Sequence, residues 1–133
     1  IQDDDLGELF GKIKNARYLL LGTPVFQGTL SGQLKTVLDR CRALVAQDPD
    51  VFKNKFGAAL AVGGDRNGGQ EIAIRTILDF FQQNHVITVS GGAFGANLGA
   101  SLWSNDQGRT GVENDSEGLK AIRKVIKRIA EFQ

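Results

Sequence analysis

Leu19-Leu20-Leu21-Gly22-Thr23-Pro24-Val25-Phe26-Gln27-Gly28-Thr29-Leu30-Ser31 begins as an apolar run and breaks into glycine, proline and a lone aromatic residue. A short apolar run closed by Gly and Pro fits a buried strand, here predicted over 17–25. A helical pattern starts at Ser31 and runs to about Ala46, with Leu34, Val37, Leu38, Cys41, Leu44 and Val45 on one face. A strand that opens into a loop before a helix marks the carboxyl edge of a parallel sheet, where such folds bind ligands. The loop offers backbone groups, a ring and glycines but no acid, base or nucleophile, as a site for a flat cofactor would.

Outward from that stretch the pattern repeats. Residues 55–63 (KFGAALAVG) are a second apolar run ending in glycine, and a loop, Gly64-Asp65-Arg66-Asn67-Gly68-Gly69, leads into a helix over 70–83. Ile74, Ile77, Leu78 and Phe81 share one stripe of that helix. A third strand is predicted over 85–89, followed by a glycine-rich stretch over 90–111 with no helical or strand period. At the ends, Leu6, Leu9, Phe10 and Ile13 behind Asp3-Asp4-Asp5 predict a helix over 4–15. Asn114 or Asp115 caps a last helix that buries Leu119, Ile122, Val125, Ile126 and Ile129. Strands alternating with helices predict a parallel, right-handed α/β sheet covered on both faces.

The chain has 133 residues, which suits one domain with a real core. A formal net charge of +1 gives no electrostatic reason to expect a nucleic-acid partner. No apolar run approaches the roughly 20 residues of a membrane span. The single cysteine, Cys41, excludes an internal disulfide and any multi-cysteine metal site formed by this chain alone, which suits a cytoplasmic protein. Of 17 glycines, 11 lie from Gly63 to Gly118, so they mark particular loops.

Three loops, 23–31, 63–70 and 90–111, are expected along one edge of the sheet. A flavin ring matches their composition. Its pyrimidine edge takes backbone hydrogen bonds, and its reduced form carries negative charge that Arg66 or the helix start at Gly69-Gln70 would stabilise. The glycine loop is neither a P-loop nor Gly-x-Gly-x-x-Gly, and alone it is structural; its place beside the Pro24-Val25-Phe26 loop points to ligand binding. Phe26 has little core to join, whereas Trp103 suits a subunit contact as well as a ring cover. Cys41 belongs to an apolar stripe, His85 has no triad partners, and Lys35 with Asp39 forms a helix-surface or inter-subunit pair. The basic residues of the last helix complement its dipole.

Leu21-Gly22-Thr23-Pro24-Val25-Phe26-Gln27-Gly28 with Ser31-x-x-Leu34-Lys35-x-x-x-Asp39-Arg40 resembles the flavodoxin-like NAD(P)H-dependent FMN reductases, and most of all the iron–sulfur flavoproteins. Lys55-x-Gly57-Ala58, Val62-Gly63-Gly64-x-Arg66-x-Gly68-Gly69-Gln70-Glu71 and Asp115-x-Glu117-Gly118-Leu119 strengthen the resemblance, which covers nearly the whole chain. It implies a flavodoxin-like three-layer α/β/α sandwich over residues 1–133. Thr23, Pro24, Val25, Phe26 and Gly28 would cradle the isoalloxazine ring and ribityl chain, and Gly63, Gly64, Arg66 and Gly69 would contact the ring's polar edge. Phe26 stands where tyrosine is more usual, keeping a ring contact and losing a hydroxyl. The family's opening strands and its Ser/Arg-rich phosphate loop have no counterpart before Asp3. The chain is therefore similar to the C-terminal two-thirds of such a protein, and any iron–sulfur cluster would be held only by residues preceding Ile1.

The implied activity is electron transfer through FMN, from NAD(P)H or a protein donor to a quinone, flavin, iron–sulfur or other acceptor, in a homodimer or homotetramer. No side chain is needed as acid or base, so no catalytic residue is expected. An electron carrier without nicotinamide turnover, or a cofactor-free assembly module, are the alternatives.

Overall fold

The computed structural model describes residues 6–132. In chain order the elements are α1 (Leu6–Asn15), β1 (Tyr18–Phe26), β2 (Thr29–Leu30), α2 (Gly32–Arg40), α3 (Arg42–Gln47) and β3 (Phe56–Gly63). There follow α4 (Gln70–Gln83), β4 (Ile87–Thr88), β5 (Ala100–Trp103), α5 (Gly108–Asn114) and α6 (Ser116–Ala130). The acidic start expected for α1, Asp3 to Asp5, lies outside the described residues.

β3 is the axis of the sheet. It pairs in parallel with β1 along one edge, Tyr18 opposite Phe56 through Pro24 opposite Val62. On its other edge β4 and β5 lie one after the other: Ile87 pairs with Phe56, and Ala100 to Trp103 pair with Leu60 to Gly63. Because side chains alternate across a strand, β3 feeds two cores. Ala59 and Ala61 face α4, together with Ile74, Ile77 and Phe81. Ala58, with Leu60 and Val62 partly buried, faces Ala121 and Val125 of α6. Alanines that are 0% exposed on both faces let both helices sit close to the backbone of β3. At the opposite end of the sheet from the candidate site, the Tyr18 hydroxyl donates to the carbonyl of Phe132, whose ring stacks on Phe56.

The three-layer α/β arrangement thus agrees with expectation, and five details differ. β2 folds back on β1 as an antiparallel hairpin, Val25 opposite Leu30, through a Gln27-Gly28 turn in which both residues have positive φ. The single helix expected over 31–46 is two. At Cys41 the N–H is shared between the carbonyls of Val37 and Leu38, and Leu44 N–H returns to the Cys41 carbonyl, a tightened turn that divides α2 from α3. The glycine-rich stretch over 90–111 holds β5 and α5. Its first half leaves β4 beside the beginning of β3, and of residues 90–99 only Phe94 and Gly95 line a cavity with Arg66 and Asn67; the segment after Trp103 follows the carboxyl end of β5. Finally, of the residues expected in the core of α6, Ile126 is 47% exposed, while Val125 is buried as expected, together with Ala121.

Candidate functional site

The carboxyl ends of β1, β3 and β5 converge on one edge, and their loops meet there. The Gln27-Gly28 turn lies against the loop that opens α4. Gly69 has φ +114, and a Cβ on it would stand only 2.7 Å from the Cα of Gly28 and nearer still to its carbonyl. The two glycines are therefore in backbone contact, a closeness that a side chain at Gly69 forbids. At Gly28, with φ +80, no atom lies within 4 Å of a Cβ position, so the turn's outer side is open. Pro24 is exposed and the Phe26 ring is 55% exposed at the end of β1, with the sheet's last antiparallel pair beneath it.

Other expected site residues serve the frame. Thr23 is buried; its hydroxyl donates to the Pro24 carbonyl (2.8 Å) and accepts from Ser31 N–H (3.0 Å). Ser31 in turn caps α2 by accepting from Leu34 N–H at 3.2 Å. Val25 packs on the larger core. The carbonyl of buried Gly63 accepts from Ser104 N–H (2.8 Å) and its hydroxyl (3.2 Å). Gly64 lies under the Asp106 carboxylate, whose Cγ would stand 3.1 Å from a Cβ there. The Gln70 amide, buried, donates to the carbonyls of Asp65 (2.6 Å) and Leu102 (3.2 Å), tying the 63–69 loop to β5.

Arg66 is the one charged side chain among the expected residues, and its surroundings were not legible in the sequence. Its guanidinium lies 4.5 Å from the centre of the Trp103 ring and donates to Asp115 Oδ1 at 3.0 Å. Asp115 is the N-cap of α6, accepting from Gly118 N–H at 3.1 Å; its second oxygen accepts from Trp103 N–H at 2.7 Å. The Asp115 side chain is 1% exposed, the Arg66 side chain 50%. Burial pushes the Asp115 carboxyl up. The hydrogen bonds from Gly118, Arg66 and Trp103, with the Arg66 charge, outweigh it and hold the group below the usual carboxylate range. Local spacing announces Asp115 only as a helix cap; nothing in it signals a partner 49 residues away.

Among the described residues every buried side-chain polar atom has a hydrogen-bond partner, so the frame is complete without a ligand's help. What the edge offers a ligand is backbone, the Phe26 ring and the outer part of Arg66. That set fits a flavin ring. It does not fit an iron–sulfur cluster: no group of three His, Cys, Asp or Glu side chains among the described residues could hold a metal ion. The Cys41 thiol is buried on the larger core, its pKa pushed up by burial to about 11. Among the described residues no helix is long and apolar enough to cross a membrane.

Comparison with known proteins agrees with this architecture. An iron–sulfur flavoprotein of Methanocaldococcus jannaschii is 55% identical over 131 residues, covering 98% of this chain and 66% of that protein. One from Archaeoglobus fulgidus is 55% identical over 129 residues, 97% of this chain and 66% of its own length. The chain thus spans just under two-thirds of these relatives. Among solved structures, the Trp repressor binding protein of Bacillus subtilis superposes with a TM-score of 0.72 at 22% identity, over 93% of this chain and 77% of that one. A flavodoxin, WrbA-like protein of Agrobacterium tumefaciens gives 0.69 at 17% identity, over 96% and 78%. These likenesses show the flavodoxin-like fold. The profile of the NADPH-dependent FMN reductase family matches residues 1–101, and with the relatives above it establishes that the chain belongs to that family, alongside the iron–sulfur flavoproteins.

Proposed function

We propose that residues 1–133 are the flavin-binding domain of an oxidoreductase, and that the edge formed by Pro24 to Gly28 and Gly63 to Gly69 receives the isoalloxazine end of FMN. The observation that carries this reading is the backbone contact between Gly28 and Gly69, which makes one continuous surface of two loops that lie 41 residues apart in sequence. Phe26 would cover a ring face, as exposed aromatics at ligand edges do. Thr23 and Val25 would act through the frame, holding the loop without touching the ring. Family membership and the relatives' names support the same cofactor.

The redox chemistry would be that of FMN itself, taking a hydride or electrons from a donor and passing them to an acceptor. The chain's part is to place the ring, offer backbone hydrogen bonds to its polar edge and set the local electrostatics. NAD(P)H or a protein donor, a quinone, flavin or iron–sulfur acceptor, and a homodimeric or homotetrameric assembly complete the proposal.

The test begins with the visible spectrum of the full-length gene product. A flavin spectrum, with FMN released on denaturation, supports the reading; a colourless protein that ignores added FMN overturns it. Anaerobic addition of NADH or NADPH then separates the donors. Bleaching identifies a nicotinamide-dependent reductase, and a flavin reduced only by a protein donor identifies an electron carrier.

A further inference from the structure

We propose that Asp115 is a positioning residue that clamps Arg66 onto Trp103 and neutralises its charge beside the flavin edge, so that the site presents a fixed dipole there instead of a free cation. The inference rests on the FMN reading for its redox consequence and on this chain alone for the clamp.

A single buried carboxylate joins three elements. Asp115 Oδ1 accepts from Arg66 in the 63–69 loop and from Gly118 at the start of α6, while Oδ2 accepts from Trp103 at the end of β5. The guanidinium is held from a second side by the Trp103 ring, 4.5 Å from its centre. Arg66 is thus oriented from two sides, one ionic and one aromatic, by partners that Asp115 itself ties together through Trp103 N–H. A surface arginine on a glycine-rich loop would otherwise sample many rotamers, and fixing it costs side-chain entropy. The buried partner makes the arrangement more than an exposed ion pair, because Asp115 cannot turn to water instead. Nearby, Glu117 accepts from Lys120 and Lys124 donates to the carbonyl of Phe94, while the carboxylates of Asp65 and Asp106 in the adjoining loops are common to the wild type and every variant below.

The charge balance gives the proposal its sign. In the wild type Arg66 and Asp115 sum to zero. Asp115→Asn leaves the cation unbalanced and favours reduced, anionic FMN over oxidised FMN by roughly tenfold, about 30 mV for a two-electron couple. Arg66→Leu leaves the carboxylate unbalanced and shifts the ratio the other way. The double variant restores neutrality and moves back toward the wild type. A merely structural role for Asp115 would shift all three variants in the same direction, through loosened loops.

Trp103 is the single tryptophan of these 133 residues, and its emission, taken as the difference from a Trp103→Phe control, reports the clamp without any cofactor. The experiment uses the full-length protein, first stripped of flavin and then loaded with FMN. In flavin-free protein, Arg66→Leu and Asp115→Asn are each expected to change Trp103 emission, and the double variant no more than either alone. Emission unchanged by both single variants overturns the clamp. In loaded protein, midpoint shifts of opposite sign support the charge balance, and shifts of the same sign or none overturn it. Should Asp115→Asn unfold, Arg66→Leu alone still decides, since a raised or unmoved midpoint in that variant refutes the proposal. If the wild type takes up no FMN, the cofactor reading fails, while the emission measurement still decides the clamp.

Discussion

Replacing Gly69 by alanine should be far more damaging than replacing Gly28, although both have positive φ and both lie at the candidate site. At Gly28 the φ is +80 and space around a Cβ is open, so Gly28→Ala meets only the backbone penalty of the left-handed region, about 1–2 kcal/mol. At Gly69 the φ of +114 lies further from anything an L-residue adopts comfortably. The new Cβ would also stand 2.7 Å from Gly28 Cα, and backbone cannot swing aside as a side chain end can. The two loops would have to part by roughly an ångström, which with the φ strain brings the cost to about 3–4 kcal/mol. Against a domain stability of about 5–15 kcal/mol, both variants should still fold. Urea denaturation with the slope m held in view measures the difference. Equal destabilisation of the two variants would refute the claim that backbone contact joins the loops. FMN titration of the same proteins adds a second reading. Gly69→Ala should lose binding; a variant that is destabilised as expected yet binds FMN at wild-type affinity would show that the joined loops are not the flavin surface.

Three further outcomes are expected. Thr23→Val removes the acceptor of the buried Ser31 N–H and should cost about 1–3 kcal/mol in urea denaturation, with a loss under about 0.5 kcal/mol showing the hydroxyl to be dispensable. Asp115 has a lowered folded pKa, so its stabilisation is fully present above the unfolded value near 3.9 and is lost as pH falls through the folded value. Urea midpoints of wild type and Asp115→Asn should therefore differ by a constant amount near neutrality and converge in acid; a gap that persists unchanged at the lowest pH where both fold contradicts this. The Cys41 thiol, with a pKa near 11 and 3% exposure, should label with a thiol reagent at neutral pH only as fast as the fold opens. Prompt labelling of native protein would place it outside the core.

What the sequence made legible follows from where its signals are local. β1, β3 and α4 carry their own: an apolar run stopped by glycine, or a stripe of Ile74, Ile77 and Phe81 at helical spacing. β4 lies within the strand predicted over 85–89, whose Val86-Ile87-Thr88-Val89 is rich in β-branched residues, but β5 carries no such signal. Ala100–Trp103 is too short to show a period, and ASLW has no strong strand composition. It is a strand because β3 offers it backbone partners, a case of tertiary context deciding where propensity is silent. α5, GRTGVEN, has two glycines and one large apolar residue, Val112, which packs on the smaller core. The hairpin of β2 is two residues long and depends on the Gln27-Gly28 turn. The loops of the site were visible because backbone-built surfaces leave glycines behind; the frame beneath them, Thr23 with Ser31 and Gln70 with Leu102, was not, because ordinary polar residues carry it.

Arg66 shows why composition alone misjudges electrostatics. Taken singly, a cation beside a developing negative charge attracts it with a strength that falls as the inverse of distance. Asp115 stands 3.0 Å behind it as a buried counter-charge. A counter-charge that close turns the cation into a dipole, whose effect on a third charge is much smaller and falls off faster than that of the lone cation. A clamp built this way sets the local potential through orientation more than through net charge. It also explains why one carboxylate is shared among a helix cap, a strand end and a loop: any movement of Arg66 away from Trp103 would unbalance a buried charge, so the loop's position and the site's potential are fixed by the same three hydrogen bonds.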